Sequence, residues 1–216
     1  MIITLSAPTL GVNASPSLSW VANYVRDFSE VELILLAPEY MDHPSAAMIS
    51  SIPHAYGAIR KDKSAKTCDC EMLEQYMSSV TAEKREKLLG MPVLCLDGDF
   101  FLDGVDIIGL WRRRNLIFCY SSSSECMYPN SYSVDAVGSG YVVTQVFEDP
   151  DASALKTCGA VGFESARDLI STPSSSHASD SSDTETLTIV ARAIANGLTF
   201  QAECVRRACV FCVGSQ

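Results

Sequence analysis

The chain has 216 residues, 47% of them hydrophobic and 19% charged, a composition that excludes a disordered or collagen-like polymer and fits a single globular domain over residues 1–216. No apolar run reaches the roughly 18 residues of a bilayer span, and Met1-Ile-Ile-Thr-Leu-Ser6 lacks the basic flank and apolar stretch of a signal peptide, so a cytoplasmic protein with no membrane role is expected. With 26 acidic against 16 basic residues the net charge is −10, which repels phosphate backbones and excludes nucleic acid as the expected partner.

Ile2 to Leu5 is an apolar run that predicts a strand, and the turn-rich stretch from Ser6 to Pro16 predicts a loop. Leu18, Val21, Val25 and Phe28 then recur at helical spacing. Val31 to Ala37 is nearly continuous in apolar residues, the pattern of a parallel strand covered on both faces, and completes a strand–helix–strand unit. A weaker strand is expected within Ile52 to Ile59. Cys70 to Leu89 predicts two helices broken at Ser78-Ser79-Val80-Thr81. Pro92-Val-Leu-Cys-Leu96 predicts another buried strand, and Val105 to Arg113 a short helix for which Asp106 complements the starting dipole.

From Leu116 onward the pattern changes to strands joined by turns: Leu116 to Tyr120, Ser131 to Ala136 and Tyr141 to Phe147, with Val137-Gly-Ser-Gly140 as a hairpin turn. Cys158 to Phe163 predicts a further strand and Ser165 to Ile170 a helix. Residues 171–185 are serine-rich and acidic without apolar periodicity, as in a mobile surface loop. Thr186 to Asn196 predicts a helix stopped by Gly197, and Ala208 to Val213 a last strand. The expected fold class is α/β, with a mixed central sheet flanked by helices.

The nine cysteines are scattered through apolar runs, which points to reduced thiols in a core. The close pairs Cys68/Cys70 and Cys209/Cys212 are read the same way, since a structural zinc would need four ligands at compatible spacing. Asp97 and Asp99 are the most informative residues. Two carboxylates at the carboxyl end of a buried strand lie where open α/β sheets place ligands, and oxygen donors there suit Mg²⁺ or Mn²⁺. An acidic turn is the alternative. Arg112, Arg113 and Arg114 are expected to complement a helix end, and Trp20 and Trp111 to pack on the sheet.

The order Pro92-Val-Leu-Cys-Leu-Asp97-Gly-Asp99, Leu116-Ile-Phe-Cys-Tyr, Tyr132-Ser-Val-Asp, Gly140-Tyr-Val-Val-Thr-Gln-Val-Phe-Glu148-Asp-Pro150, Ser153 and Cys158-Gly159-Ala-Val-Gly-Phe163 resembles the sugar-nucleotide and LicC-type nucleotidyltransferases from about Met91 to Leu169. The resemblance implies the Rossmann-like fold of nucleotide-diphospho-sugar transferases. It also implies Mg²⁺-dependent transfer of a nucleotidyl group from a nucleoside triphosphate to a phosphorylated sugar or alcohol, releasing pyrophosphate. Asp97 and Asp99 would be the catalytic and metal-holding residues; Gly11, Lys66, Glu148, Lys156 and Gly159 would bind nucleotide or substrate.

The chain departs from that family at three places. Its first loop, Ser6-Ala-Pro-Thr-Leu-Gly11-Val-Asn-Ala-Ser-Pro16, has one glycine and no Lys or Arg before Arg26, where the family has a glycine-rich loop with an arginine. Asp149 stands where the family has a lysine. The second metal carboxylate near the last strand has only Glu203 as a counterpart. Arg60, Lys61, Lys63 and Lys66 are either compensating cations or a solvated loop. A second function therefore stands beside the enzyme: a non-catalytic relative that binds a nucleotide or nucleotide sugar, forms a homo-oligomer or regulates a partner subunit. A metal-dependent glycosyltransferase is a third.

Overall fold

Ile2–Leu5 forms β1, with all of its side chains buried. The computed structural model describes residues 1–6, 16–27, 30–41, 52–58, 68–98, 106–121, 132–147, 152–171 and 186–205. β1 lies between β2 (Leu33–Leu36) and β4 (Val93–Leu96), parallel to both, with Ile2 opposite Leu33 and Val93. β3 (Ala55–Gly57) continues the parallel array beyond β2. Strands covered on both faces have no solvent side on which to alternate, which is why β1, β2 and β4 are almost wholly apolar.

Helix α1 (Pro16–Asp27) joins β1 to β2, α2 (Pro38–Met41) follows β2, and α3 (Asp69–Ser78) and α4 (Ala82–Leu89) lie between β3 and β4. The expected break between the last two is present. Ser79 ends α3, and Thr81 opens α4 by accepting the Lys84 N–H on Oγ1 at 3.4 Å. The chain moves outward from β1 to β2 and β3, then returns to the far side of β1 as β4. Right-handed crossovers in opposite directions put their helices on opposite faces. α3 packs on β1 and β2, so α1 belongs to the other face. The two connections part between the carboxyl ends of β1 and β4, the switch point at which open α/β sheets commonly place ligands.

The second half adds α5 (Ile107–Trp111), β5 (Leu116–Ser121), β6 (Ser133–Val137), β7 (Val142–Phe147), β8 (Leu155–Phe163), α6 (Ala166–Ser171), α7 (Thr186–Ala195) and β9 (Gln201–Cys204). β8 runs antiparallel between β4 and β5, β9 lies parallel to β5, and the β6–β7 hairpin follows. The order among the described residues is β3-β2-β1-β4-β8-β5-β9-β7-β6. β6 also pairs with the start of β8, Ser133 opposite Lys156, so the second half of the sheet curls back on itself. The expected mixed sheet flanked by helices is what the chain adopts.

Several expectations are corrected. The short helix spans Ile107–Trp111, opened by Asp106 Oδ1 accepting the Gly109 N–H at 2.9 Å and ended where Arg112 and Arg113 take left-handed φ of 50° and 57°. β8 begins at Leu155, because Leu155 and Lys156 find partners on both β5 and β6. A strand was not expected at Gln201–Cys204; its polar residues Gln201 and Glu203 both take hydrogen bonds from the Arg114 guanidinium. The expected strand Ala208 to Val213 and residues 172–185 lie outside the described residues, while Ser171 closes α6. Trp111 is buried as expected, its Nε1 donating to the Arg114 carbonyl at 2.6 Å, and Trp20 packs half-buried against the core. No helix among the described residues is long and apolar enough to cross a membrane.

Candidate functional site

At the end of β4 the chain passes from the fully buried Leu96 to the partly exposed Asp97 at the switch point of the sheet. Two elements fix the backbone there. The Asp97 N–H donates to the Gly159 carbonyl at 2.8 Å, and the Ser17 hydroxyl donates to the Asp97 carbonyl at 2.7 Å. On the β1 side, the Ser6 N–H donates to the Leu96 carbonyl at 3.0 Å, and Tyr40 Oη donates to the Ser6 carbonyl at 3.2 Å. The switch point is therefore bound together by β1, β4, β8, α1 and α2.

Gly159 reaches Asp97 because β8 bulges. Its register with β5 passes from Val161 opposite Ile117 to Thr157 opposite Cys119, which leaves residues 158–160 facing Phe118. Gly159 absorbs the irregularity with φ +81°, a conformation that favours glycine. Lys156 sits further back on β8, half-buried, opposite Tyr120 on β5 and Ser133 on β6. Of the seven expected site residues, the structure describes Asp97, Lys156 and Gly159. Asp99, Gly11, Lys66 and Glu148 lie outside the described residues, as do Arg60, Lys61, Lys63 and Asp149.

Several charged residues that the sequence singled out are engaged elsewhere. Glu203 pairs with Arg114 at 3.3 Å, so its carboxylate is drawn to the arginine that binds β9 to the α5–β5 corner. Arg113 pairs with Glu30 and Arg114 with Glu203, which revises the dipole expectation for these two, while Arg112 stands at the carboxyl end of α5 as expected. Asp106 is the cap of α5, as expected.

Sequence reasoning did not find Ser17, Ser6 or Tyr40. A serine in the first turn of a helix is an ordinary start signal, and nothing local indicates a bond to a carbonyl 80 residues away.

Behind the switch point, Cys95 on β4 lies level with Thr4 on β1. Burial above all, and then the neighbouring Asp69 carboxylate, push its thiol well above the ordinary range. Cys68 and Cys70 are each pushed up to about 12, chiefly by burial. Cys119 and Cys158 are raised the same way, and all five are free thiols, as the scatter of cysteines predicted. At neutral pH they are protonated and make poor nucleophiles. No group of three or more His, Cys, Asp or Glu among the described residues could by itself hold a metal ion. That still fits Mg²⁺, which commonly takes only one or two protein carboxylates and fills its shell with phosphate and water; Asp97 is an oxygen donor of that kind at a partly exposed strand end.

No family model matches the chain, and no curated protein does. Solved structures do. The nucleoside-diphosphate-sugar pyrophosphorylase of Vibrio cholerae RC9 superposes with a TM-score of 0.63 at 14% identity, covering 96% of this chain and 93% of that one. The inositol-1-phosphate CTP transferase of T. maritima gives 0.56 at 11% identity, over 94% and 84% of the two chains. A CMP:2-keto-3-deoxy-manno-octonic acid synthetase solved with CTP gives 0.57 at 14% identity, over 96% and 90%. At these identities the likeness establishes a shared fold, and it extends over nearly the whole chain.

Proposed function

We propose that a chain with the fold of these nucleotidyltransferases binds a nucleoside triphosphate at the switch point between β1 and β4 and transfers its nucleotidyl group to a phosphorylated sugar or alcohol. The observation that carries this reading is Asp97, a carboxylate at the point where the parallel strands diverge, with its N–H bonded to Gly159 and its carbonyl to Ser17. The parallel half is read as Rossmann-like, and the motif order from Met91 to Leu169 supports the sugar-nucleotide and LicC-type branch.

In the proposed reaction an acceptor phosphate oxygen attacks the α-phosphorus, and the bond to the β-phosphate oxygen breaks as pyrophosphate leaves. Asp97, with Asp99, would hold Mg²⁺ or Mn²⁺, which when bound neutralises charge on the phosphates. The chain's own work is positioning: Asp97 orients the metal-binding face of the site, Gly159 fixes Asp97, and Lys156 supplies a cation for the acceptor phosphate. Gly11, Lys66 and Glu148 complete the proposed nucleotide and substrate contacts. We assign the protein to the cytoplasm.

A second reading, a non-catalytic relative that binds the nucleotide or a partner subunit, is favoured by specific residues. No Lys or Arg precedes Arg26, Asp149 replaces the family's lysine, and Glu203 is taken by Arg114. Thermal unfolding with CTP, UTP, ATP, GTP and nucleotide sugars, each with and without Mg²⁺ or Mn²⁺, tests the site. A ligand at 100 times its Kd stabilises by about 2.7 kcal/mol, or about 5–11 °C for a chain of this size. A shift that needs metal and one nucleotide, and vanishes in Asp97→Ala, supports the site, and pyrophosphate release then separates enzyme from binder. Nucleotide-sugar hydrolysis with Mn²⁺ would favour a glycosyltransferase instead. No shift with any ligand, or the same shift in Asp97→Ala, sinks the assignment.

A further inference from the structure

We infer that Ser17 is a positioning residue that sets the direction of the Asp97 carboxylate; this rests on the proposed metal-dependent site. The direction of a side chain from the backbone follows from the two peptide planes that flank its Cα. At Asp97 both planes are held from outside β4. The preceding plane is fixed by the N–H donated to Gly159 at 2.8 Å, and the following plane by the carbonyl that accepts from Ser17 Oγ at 2.7 Å.

The two anchors come from different directions, one from the bulged neighbour β8 and one from the first turn of α1. Ser17 is 1% exposed, so water does not compete for this bond, and in such surroundings a hydrogen bond is stronger than at the surface. Ser17 lies inside the first turn of α1, next to Pro16. From there its hydroxyl donates outward to a strand 80 residues further along the chain. The start of α1, which follows the first loop, and the end of β4, which carries the carboxylate, are thereby held as one unit.

The test uses the full chain and Mn²⁺ titrated against each of CTP, UTP, ATP and GTP, read as the metal concentration that gives half of the maximal thermal shift. Ser17→Ala removes one oxygen atom. The expected result is a half-saturating Mn²⁺ concentration about five to ten times higher, as for the loss of one hydrogen bond, with the full shift regained at saturating metal. A merely structural role would lower the melting temperature equally with and without ligand and leave the half-saturation unchanged. That outcome overturns the inference, while the site itself stands as long as Asp97→Ala still abolishes the shift. If the unaltered chain shows no metal-dependent shift with any of the four triphosphates, the proposed site fails and the inference with it. Should Ser17→Ala not fold, Ser17→Cys fills the site with a somewhat larger atom, replaces a strong donor by a weak one, and is read by the same two outcomes.

Discussion

Two glycines of β8 are needed for different reasons. Gly159 is required by its backbone: at φ +81° an added Cβ is strained, so Gly159→Ala should cost about 1–2 kcal/mol in urea unfolding. Gly162 is required by its neighbour, since a Cβ there would lie 2.0 Å from Nε1 of the buried Trp111. Gly162→Ala should push the indole out of place, cost about 1–3 kcal/mol and shift tryptophan emission to the red; unchanged emission and stability would contradict this packing. The thiols give a pH signature. Cys68 and Cys70 keep their protons in the folded chain up to about 12, against 9.0 as the ordinary value. The unfolded chain therefore releases protons first between those limits, so their contribution is complete below pH 9 and is lost as pH rises through the window. The urea midpoint should fall above pH 9, and less steeply in Cys70→Ala; equal slopes would refute it.

The elements differ in how far local residues announce them. β1, β2 and β4 were legible because burial on both faces leaves a continuous apolar run, and the β6–β7 hairpin because Val137-Gly-Ser-Gly140 has the chemistry of a tight turn. β9 was not legible. Its Gln201 and Glu203 look like surface residues until Arg114, contributed by a distant corner, is placed beside them. The candidate site divides along the same line. Asp97 is visible from its place after an apolar strand, whereas Ser17 and the Gly159 bulge act through backbone groups brought together only by the tertiary fold. Caps, in contrast, are local. Thr81→Ala should destabilise α4 by about 1 kcal/mol through loss of the bond from the Lys84 N–H, measurable as a lower urea midpoint.

Across the whole molecule, β8 joins the parallel half to the curled half. Its later residues pair with β4 and its first residues with β6, while β5 runs along its other side. Neither half can lose β8 without exposing an open edge, so the domain expected over residues 1–216 should unfold as one unit. Fluorescence and far-UV circular dichroism should give coincident transitions in urea, and two separate midpoints would show that the halves are independent.

The same arrangement bears on how the chain comes off the ribosome. β1 is made first, yet it gains one neighbour only when Leu33–Leu36 has been made and the other only with Val93–Leu96, and β4 in turn waits for Leu155–Phe163. Through most of synthesis an apolar strand therefore has an unfilled edge, and the pairings that close it are distant in sequence, which slows folding and invites association between nascent chains. Refolding from urea should be slow and should lose yield steeply as protein concentration rises, so that in a cell the emerging amino-terminal half is a natural client for a chaperone.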